Sequence, residues 1–199
     1  MSNPLLTLTD EECEKLLAYL QYHPVHTGHR PRYHRNYTMA LCMLDAGLRV
    51  NELVNLRRNC LIFAGEFIEN VVVPADIAKN HIERVIPMSS RLSDAVLKMQ
   101  AYYWEMDGCP LTGFAFYTWD PKKCISARQV QRNIKAAALM SIGKPIHPHV
   151  LRHTFATRLM RKTNMRIVQQ LLGHKSIQST QIYTHPNSVD LQNAIKSIE

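Results

Sequence analysis

HPHVLRHTFATRLMRKTNMRIVQQLLGHKSIQSTQIYTH, residues 147–185, reads as three short helices in a row. Pro148 fits a first helical turn, where its missing N–H is no loss, and the apolar spacing carries that helix to about Lys162. Met165–Leu172 forms a second helix, stopped by Gly173. Ser176 caps a third, which carries Tyr183. His149 and Arg152 lie three residues apart, hence on one face of a helix opening. Free backbone N–H groups and the positive end of the helix dipole make that opening suited to a phosphate. His174 sits in the tight turn between the second and third helices, nine residues before Tyr183.

Upstream the chain is also largely helical. Thr9 followed by Glu12 is a capping box, and Cys13, Leu16, Leu17 and Leu20 follow at helical spacing, giving a helix of about three turns. His23 to Arg35 is a polar connector, with Pro24 and Pro31 blocking helix. A second helix is expected from about Asn36 to Ala46 with Gly47 as its C-cap, then a short one over Val50 to Leu56. Met39, Cys42, Met43, Leu53 and Val54 are assigned to the core. Between Cys60 and Met88 the period changes. Cys60–Ala64, Glu66–Val73 and Arg84–Met88 read as a three-stranded antiparallel sheet. Helix returns near Leu92 to Glu105, Phe114–Tyr117 reads as a short strand, and Ser126 with Gln129 caps a helix ending at Gly143. The expected fold is mainly α with a small antiparallel β-sheet, an α+β architecture, as one domain over residues 1–199.

Charge is segregated along this chain. The net charge is +8, yet from Pro121 to Val189 there is no Asp or Glu among twelve Lys and Arg residues. A surface of one sign points to a polyanionic partner, DNA or RNA. The basic residues are spread over several elements and do not form one amphipathic helix, which argues against a membrane surface. No run of 18 apolar residues and no secretory signal is seen. The five cysteines are scattered without a CxxC pair, so neither a disulfide framework nor a thiolate zinc site is expected, and a reducing cytoplasm is the expected location.

Two further segments carry chemistry. AGLRVNELVNLR, residues 46–57, places Arg49 just past a helix-ending glycine, with Glu52 three residues on to hold or orient a nearby cation. AKNHIERVIPM, residues 78–88, puts Lys79 at a turn leading into a strand. With HPHVLRH and LLGHKSIQSTQIYTH, these segments resemble the tyrosine recombinase family, the phage integrases and the recombinases that resolve chromosome dimers. That family carries an Arg in G-L-R-x-x-E-L, a Lys in a β-turn, H-x-L-R-H, and L-G-H followed nine residues later by Tyr. The resemblance covers about Thr9 to His185. It departs from the pattern at the Lys79 turn, which lacks the family's glycines.

The resemblance implies a catalytic-domain fold and a set of roles. Arg49 and Arg152 would clamp the non-bridging oxygens of a DNA phosphate, where a planar guanidinium donates paired hydrogen bonds. Tyr183 would attack phosphorus through its phenol oxygen, with His149 as its base, Lys79 would protonate the departing 5′ oxygen, and His174 would hydrogen-bond the phosphate. A 3′-phosphotyrosyl intermediate and a free 5′-hydroxyl follow. Because the covalent link conserves the bond energy, neither ATP nor metal is called for and no cofactor is expected. The expected partners are double-stranded DNA and further copies of the chain, as a tetramer on DNA. A nucleoid-associated, cytoplasmic location follows.

Family members commonly carry an N-terminal helical domain that closes the other side of the DNA, and none fits before Thr9. Three readings follow: the chain acts as a catalytic half alone, partner proteins complete the clamp, or the sequence is a fragment of a longer protein. The tail at 186–199, with Val189, Leu191, Ala194 and Ile195, either docks on a neighbouring protomer or folds back on its own domain. A type IB topoisomerase would share the chemistry, but the short chain and the wording around His149 and His174 favour a recombinase. An inactive DNA-binding regulator would lack a catalytic residue, and all six are present. His23, His26, His29 and His34 have tolerable ligand spacing, yet no Cys or carboxylate joins them. A basic strap on the DNA backbone, helped by Arg30, Arg32 and Arg35, is the preferred reading.

Overall fold

A computed structural model describes residues 6–22, 33–63, 66–176 and Thr180. Seven α-helices are seen among them: α1 Asp10–Tyr22, α2 Tyr33–Leu44, α3 Val50–Asn55, α4 Ser90–Met99, α5 Ala127–Ile142, α6 Pro148–Met160 and α7 Met165–Leu172. Four short strands, β1 Ile62–Phe63, β2 Glu66–Phe67, β3 Asn70–Val73 and β4 Arg84–Pro87, complete the α+β architecture.

Local chemistry explains most boundaries. Thr9 accepts from the Glu12 N–H at 3.2 Å while the Glu12 carboxylate accepts from the Thr9 N–H at 2.9 Å, so two orphan donors of α1 are satisfied reciprocally. Ser126 caps α5 by accepting from the Gln129 N–H at 3.2 Å. Pro148 occupies the start of α6. Gly173 ends α7 with φ of 62°, and the following His174 N–H returns to the Gln169 carbonyl at 3.1 Å.

The core sits around α2, whose residues from Thr38 to Leu44 are all buried. A helix apolar on every side must be surrounded, and α2 packs against α1, α3, α4, α5 and α6. Met39, Cys42, Met43, Leu53 and Val54 are core, as expected. Just past α2, Gly47 adopts φ of 63°, and a Cβ there would come within 2.5 Å of the Phe155 ring. Only glycine allows α6 to lie this close to the α2–α3 turn.

Four expectations are corrected. The three-stranded sheet is two separate two-stranded ribbons, β1–β2 and β3–β4, because the Glu66–Val73 run breaks after Phe67. Helix α2 begins at Tyr33, three residues before the expected start. The Leu92–Glu105 helix is α4 from Ser90 followed by a wider π-turn over Gln100–Trp104. Phe114–Tyr117 forms isolated bridges to Arg57 and Cys124 and no strand.

Arg35, expected on a DNA-touching strap, is 2% exposed. It donates to the Tyr117 carbonyl at 2.8 Å and to the Asn36 side chain, which also receives Asn133 at 3.1 Å. The pull of buried hydrogen-bond acceptors has turned it inward. His34 stacks on Tyr102 with ring centroids 5.7 Å apart, while His23, His26, His29, Arg30 and Arg32 lie outside the described residues. Among the described residues, no helix is long and apolar enough to cross a membrane.

Gly47→Ala adds both left-handed strain and a clash with Phe155, so urea unfolding should show a loss of roughly 1–3 kcal/mol.

Candidate active site

The described site is assembled at the C-terminal end of α7. The last carbonyls of a helix have no partner within the helix, and three consecutive ones here are met by three distant side chains. Arg84 Nε, from β4, donates to the Leu171 carbonyl at 3.1 Å. Arg152 Nη2, from α6, donates to the Leu172 carbonyl at 2.9 Å. Asn80 Nδ2, from the turn joining β3 to β4, donates to the Gly173 carbonyl at 2.7 Å. Two guanidinium cations at the negative end of the helix dipole gain further from its field. Gly173 is again a close approach, because a Cβ there would meet Arg84 Cδ at 3.2 Å.

Glu52 ties the other side together. It is 1% exposed, and Arg84 grips its carboxylate with two hydrogen bonds, at 3.1 and 2.7 Å. Arg49 adds its Nη1 at 3.1 Å and its backbone N–H at 2.8 Å. Burial alone would push the carboxyl pKa up. The Arg84 hydrogen bonds and charge, with the Arg49 amide and the charge of Arg152, outweigh it and hold Glu52 below the usual carboxylate range. Glu52 is thus the charge that allows three arginines to crowd together.

Arg152 is 3% exposed and also donates to the Gly47 carbonyl. Its Nη2 lies 3.2 Å from His174 Nε2, and His174 Nδ1 lies 3.0 Å from the Thr180 hydroxyl. Burial, then the charges of Arg152, Arg49 and Arg84, push the His174 pKa down to about 4. His149 keeps an exposed edge at the start of α6. Partial burial of its ring, followed by the charges of Arg152, Arg49, His147 and Lys79, lowers its pKa below the ordinary 6.5. Both shifts favour the neutral imidazole.

Lys79 is exposed in the β3–β4 turn, and Asn80 beside it anchors that turn to Gly173. The turn lacks glycine, and His81 takes the left-handed conformation instead, with φ of 54°. Arg49, Arg152 and His174 are thus brought together from separate segments, and the charges of Arg152, Arg49 and Lys79 all reach His149. Tyr183 lies outside the described residues, as do most of the segment expected to form its helix and the tail at 186–199.

Sequence reasoning missed three structural partners of this site. Arg84 was read only as the first residue of a strand, and neither Asn80 nor Thr180 was singled out. An arginine opening a strand three residues after a positive-φ turn residue offers no local sign that it will be buried against a carboxylate 32 residues away.

Comparison with known proteins now bears on this arrangement. The model of the Phage integrase family matches residues 7–189. The chain belongs to the phage integrase family. Among relatives, it is 34% identical over 166 residues to a tyrosine recombinase of Pseudothermotoga lettingae, covering 82% of this chain and 54% of that one. It is 31% identical to the tyrosine recombinase XerC of Stutzerimonas stutzeri, covering 81% and 50%. This phage integrase family chain thus spans about half the length of the curated relatives it matches. The crystal structure of the XerA recombinase superposes with a TM-score of 0.78 at 25% identity, covering 100% of this chain and 65% of that one. The XerH recombinase, in a post-cleavage complex with its difH substrate, superposes at 0.77 with 20% identity, covering 98% and 53%, which bears on fold alone. The fold is that of a tyrosine recombinase catalytic domain.

Glu52→Gln leaves buried cations uncompensated and should cost about 3–5 kcal/mol by denaturant unfolding. The folded-state pKa of Glu52 lies below its unfolded value. Its contribution is therefore complete above the unfolded pKa and disappears as pH falls through the folded one. The variant should accordingly lose part of the wild-type decline in stability below pH ~4.

Proposed function

We propose that this chain is the catalytic part of a site-specific DNA recombinase that cuts and rejoins strands through a 3′-phosphotyrosyl bond to Tyr183. The observation that carries the reading is the junction of Arg152 and His174 at the end of α7, with Arg49 beside them on Glu52 and the charges of Arg49, Arg152 and Lys79 all acting on His149. A cluster of cations beside two neutral imidazoles is the composition a phosphodiester transition state calls for. Membership of the phage integrase family supports the same reading.

In this mechanism Arg49 and Arg152 receive the two non-bridging oxygens, whose charge grows as the reaction proceeds. Such preorganised donors are worth several kcal/mol of barrier, on the order of a hundredfold or more in rate. The Tyr183 phenol oxygen attacks phosphorus in line, and its proton passes to His149. The P–O5′ bond breaks, and Lys79 gives a proton to the departing oxygen. A 5′-hydroxyl and a 3′-phosphotyrosyl ester result. Rejoining is the reverse, with a 5′-hydroxyl attacking the ester, so neither ATP nor metal enters the balance.

His149 suits the base role because partial burial, and then the surrounding positive charge, lower its pKa and favour the unprotonated ring. The acid-free, Lys- and Arg-rich stretch from Pro121 to Val189 supplies the polyanion-binding charge. The working partner is double-stranded DNA, with the chain acting as a tetramer on it, in the cytoplasm at the nucleoid. The chain works as one catalytic domain, with the tail at 186–199 available to a neighbouring protomer.

Nicked suicide duplexes tiled from the DNA flanking its gene provide the test. Wild type should form covalent protein–DNA adducts in EDTA, and Tyr183→Phe should bind these duplexes but form none. Adducts from the Phe variant, or a strict Mg²⁺ requirement, would remove the mechanism. Arg152→Ala should lose cleavage by orders of magnitude, since the clamp acts mainly in the transition state. The acid limb of the cleavage rate should fall below pH 6.5, the ordinary histidine value, because the base is lowered from it.

A further inference from the structure

The contact between Arg152 and His174 constrains where the imidazole proton sits. A guanidinium has five N–H donors and no acceptor, so at 3.2 Å its Nη2 donates and His174 Nε2 accepts. Nε2 is then the unprotonated nitrogen of a neutral ring, and the proton belongs on Nδ1. Nδ1 lies 3.0 Å from the Thr180 Oγ1, and Thr180 is 0% exposed. The hydrogen bond made by one ring nitrogen decides which tautomer the other presents.

We propose that Thr180 is a positioning residue for the phosphate clamp. Its hydroxyl accepts the Nδ1–H of His174 and fixes the ring in the tautomer whose Nε2 receives Arg152. The orientation of Arg152 then depends on the stretch of chain that runs three residues further to Tyr183. The role rests on the recombinase reading, and it deepens it. His174 holds Arg152 in place before DNA arrives, and it does not donate to a phosphate from Nε2 while that contact lasts.

The alternative polarity conflicts with the geometry. An Nε2–H tautomer, or a doubly protonated ring, would point an N–H at the N–H of Arg152. Burial and the charges of Arg152, Arg49 and Arg84 oppose the protonated form. The carbonyls of Gly47 and Leu172 hold Arg152 from the other side. Among the described contacts, two scaffold carbonyls and a nitrogen that answers to Thr180 orient the guanidinium.

Imidazole ¹⁵N chemical shifts of the DNA-free protein at pH 7 test this directly, with the His174 signals assigned through a His174→Gln variant. Wild type should show His174 as the neutral Nδ1–H tautomer. Thr180→Val should shift that residue toward the Nε2–H tautomer, and Thr180→Ser should restore the wild-type pattern. On the nicked suicide duplexes, Thr180→Val should bind DNA as wild type does yet form adducts roughly ten- to a hundredfold more slowly, the size of loss that misorientation of a reacting group causes. Thr180→Ser should recover most of the rate. An Nε2–H tautomer in wild type overturns the proposal, and that spectrum decides the matter even if the Val variant fails to fold. A Val variant with wild-type cleavage overturns it too. Adduct formation by no duplex with wild type would instead sink the recombinase reading, leaving the tautomer spectrum to judge Thr180.

Discussion

Three carbonyl oxygens at the end of one short helix organise this protein. Leu171, Leu172 and Gly173 present acceptors that α7 cannot satisfy by itself. Arg84, Arg152 and Asn80 answer them from β4, α6 and the β3–β4 turn. Each contact fixes a segment that bears one of the chemically important residues. The helix end is satisfied and the site is assembled by the same hydrogen bonds, so the fold cannot keep one and lose the other.

A buried carboxylate makes that assembly affordable. Glu52 stands among Arg49, Arg84 and Arg152, and without its charge their mutual repulsion in a poorly solvated place would drive them apart. Two of its partners differ in kind. Arg84 is consumed by structure, gripping Glu52 and the α7 carbonyl at once. Arg49 contacts Glu52 through one terminal nitrogen, and its side chain stays 18% exposed. A shared anion therefore separates a scaffold arginine from one whose side chain keeps a partly exposed face.

The two histidines of the site are made different by position. His149 keeps an exposed edge at a helix opening, while His174 is enclosed between Arg152 and Thr180. Burial first, and then the charges of Arg152 and Arg49, disfavour the protonated form of both, but one ring is able to exchange protons with solvent-facing groups and the other has both nitrogens engaged. Residue type alone does not distinguish a proton carrier from a positioning group. Hydrogen-bond partners do.

Whatever depends on neighbours along the chain was readable from the sequence. The capping box at Thr9, the N-cap at Ser126, the helix start at Pro148, the stop at Gly173 and the core positions of α2 all follow from spacings of a few residues. The resemblance of the Arg49, Lys79, His149, Arg152 and His174 segments to a known family was likewise legible, because it resides in short contiguous wording. Tertiary structure decided what depends on distant partners. Arg35 turned inward to the Tyr117 carbonyl 82 residues on. The expected sheet split into two ribbons, Arg84 found Glu52, and Thr180 closed on His174. A side chain's local context states what it is able to donate or accept; only packing brings a particular partner within reach, and with it the choice between surface charge and structural hub.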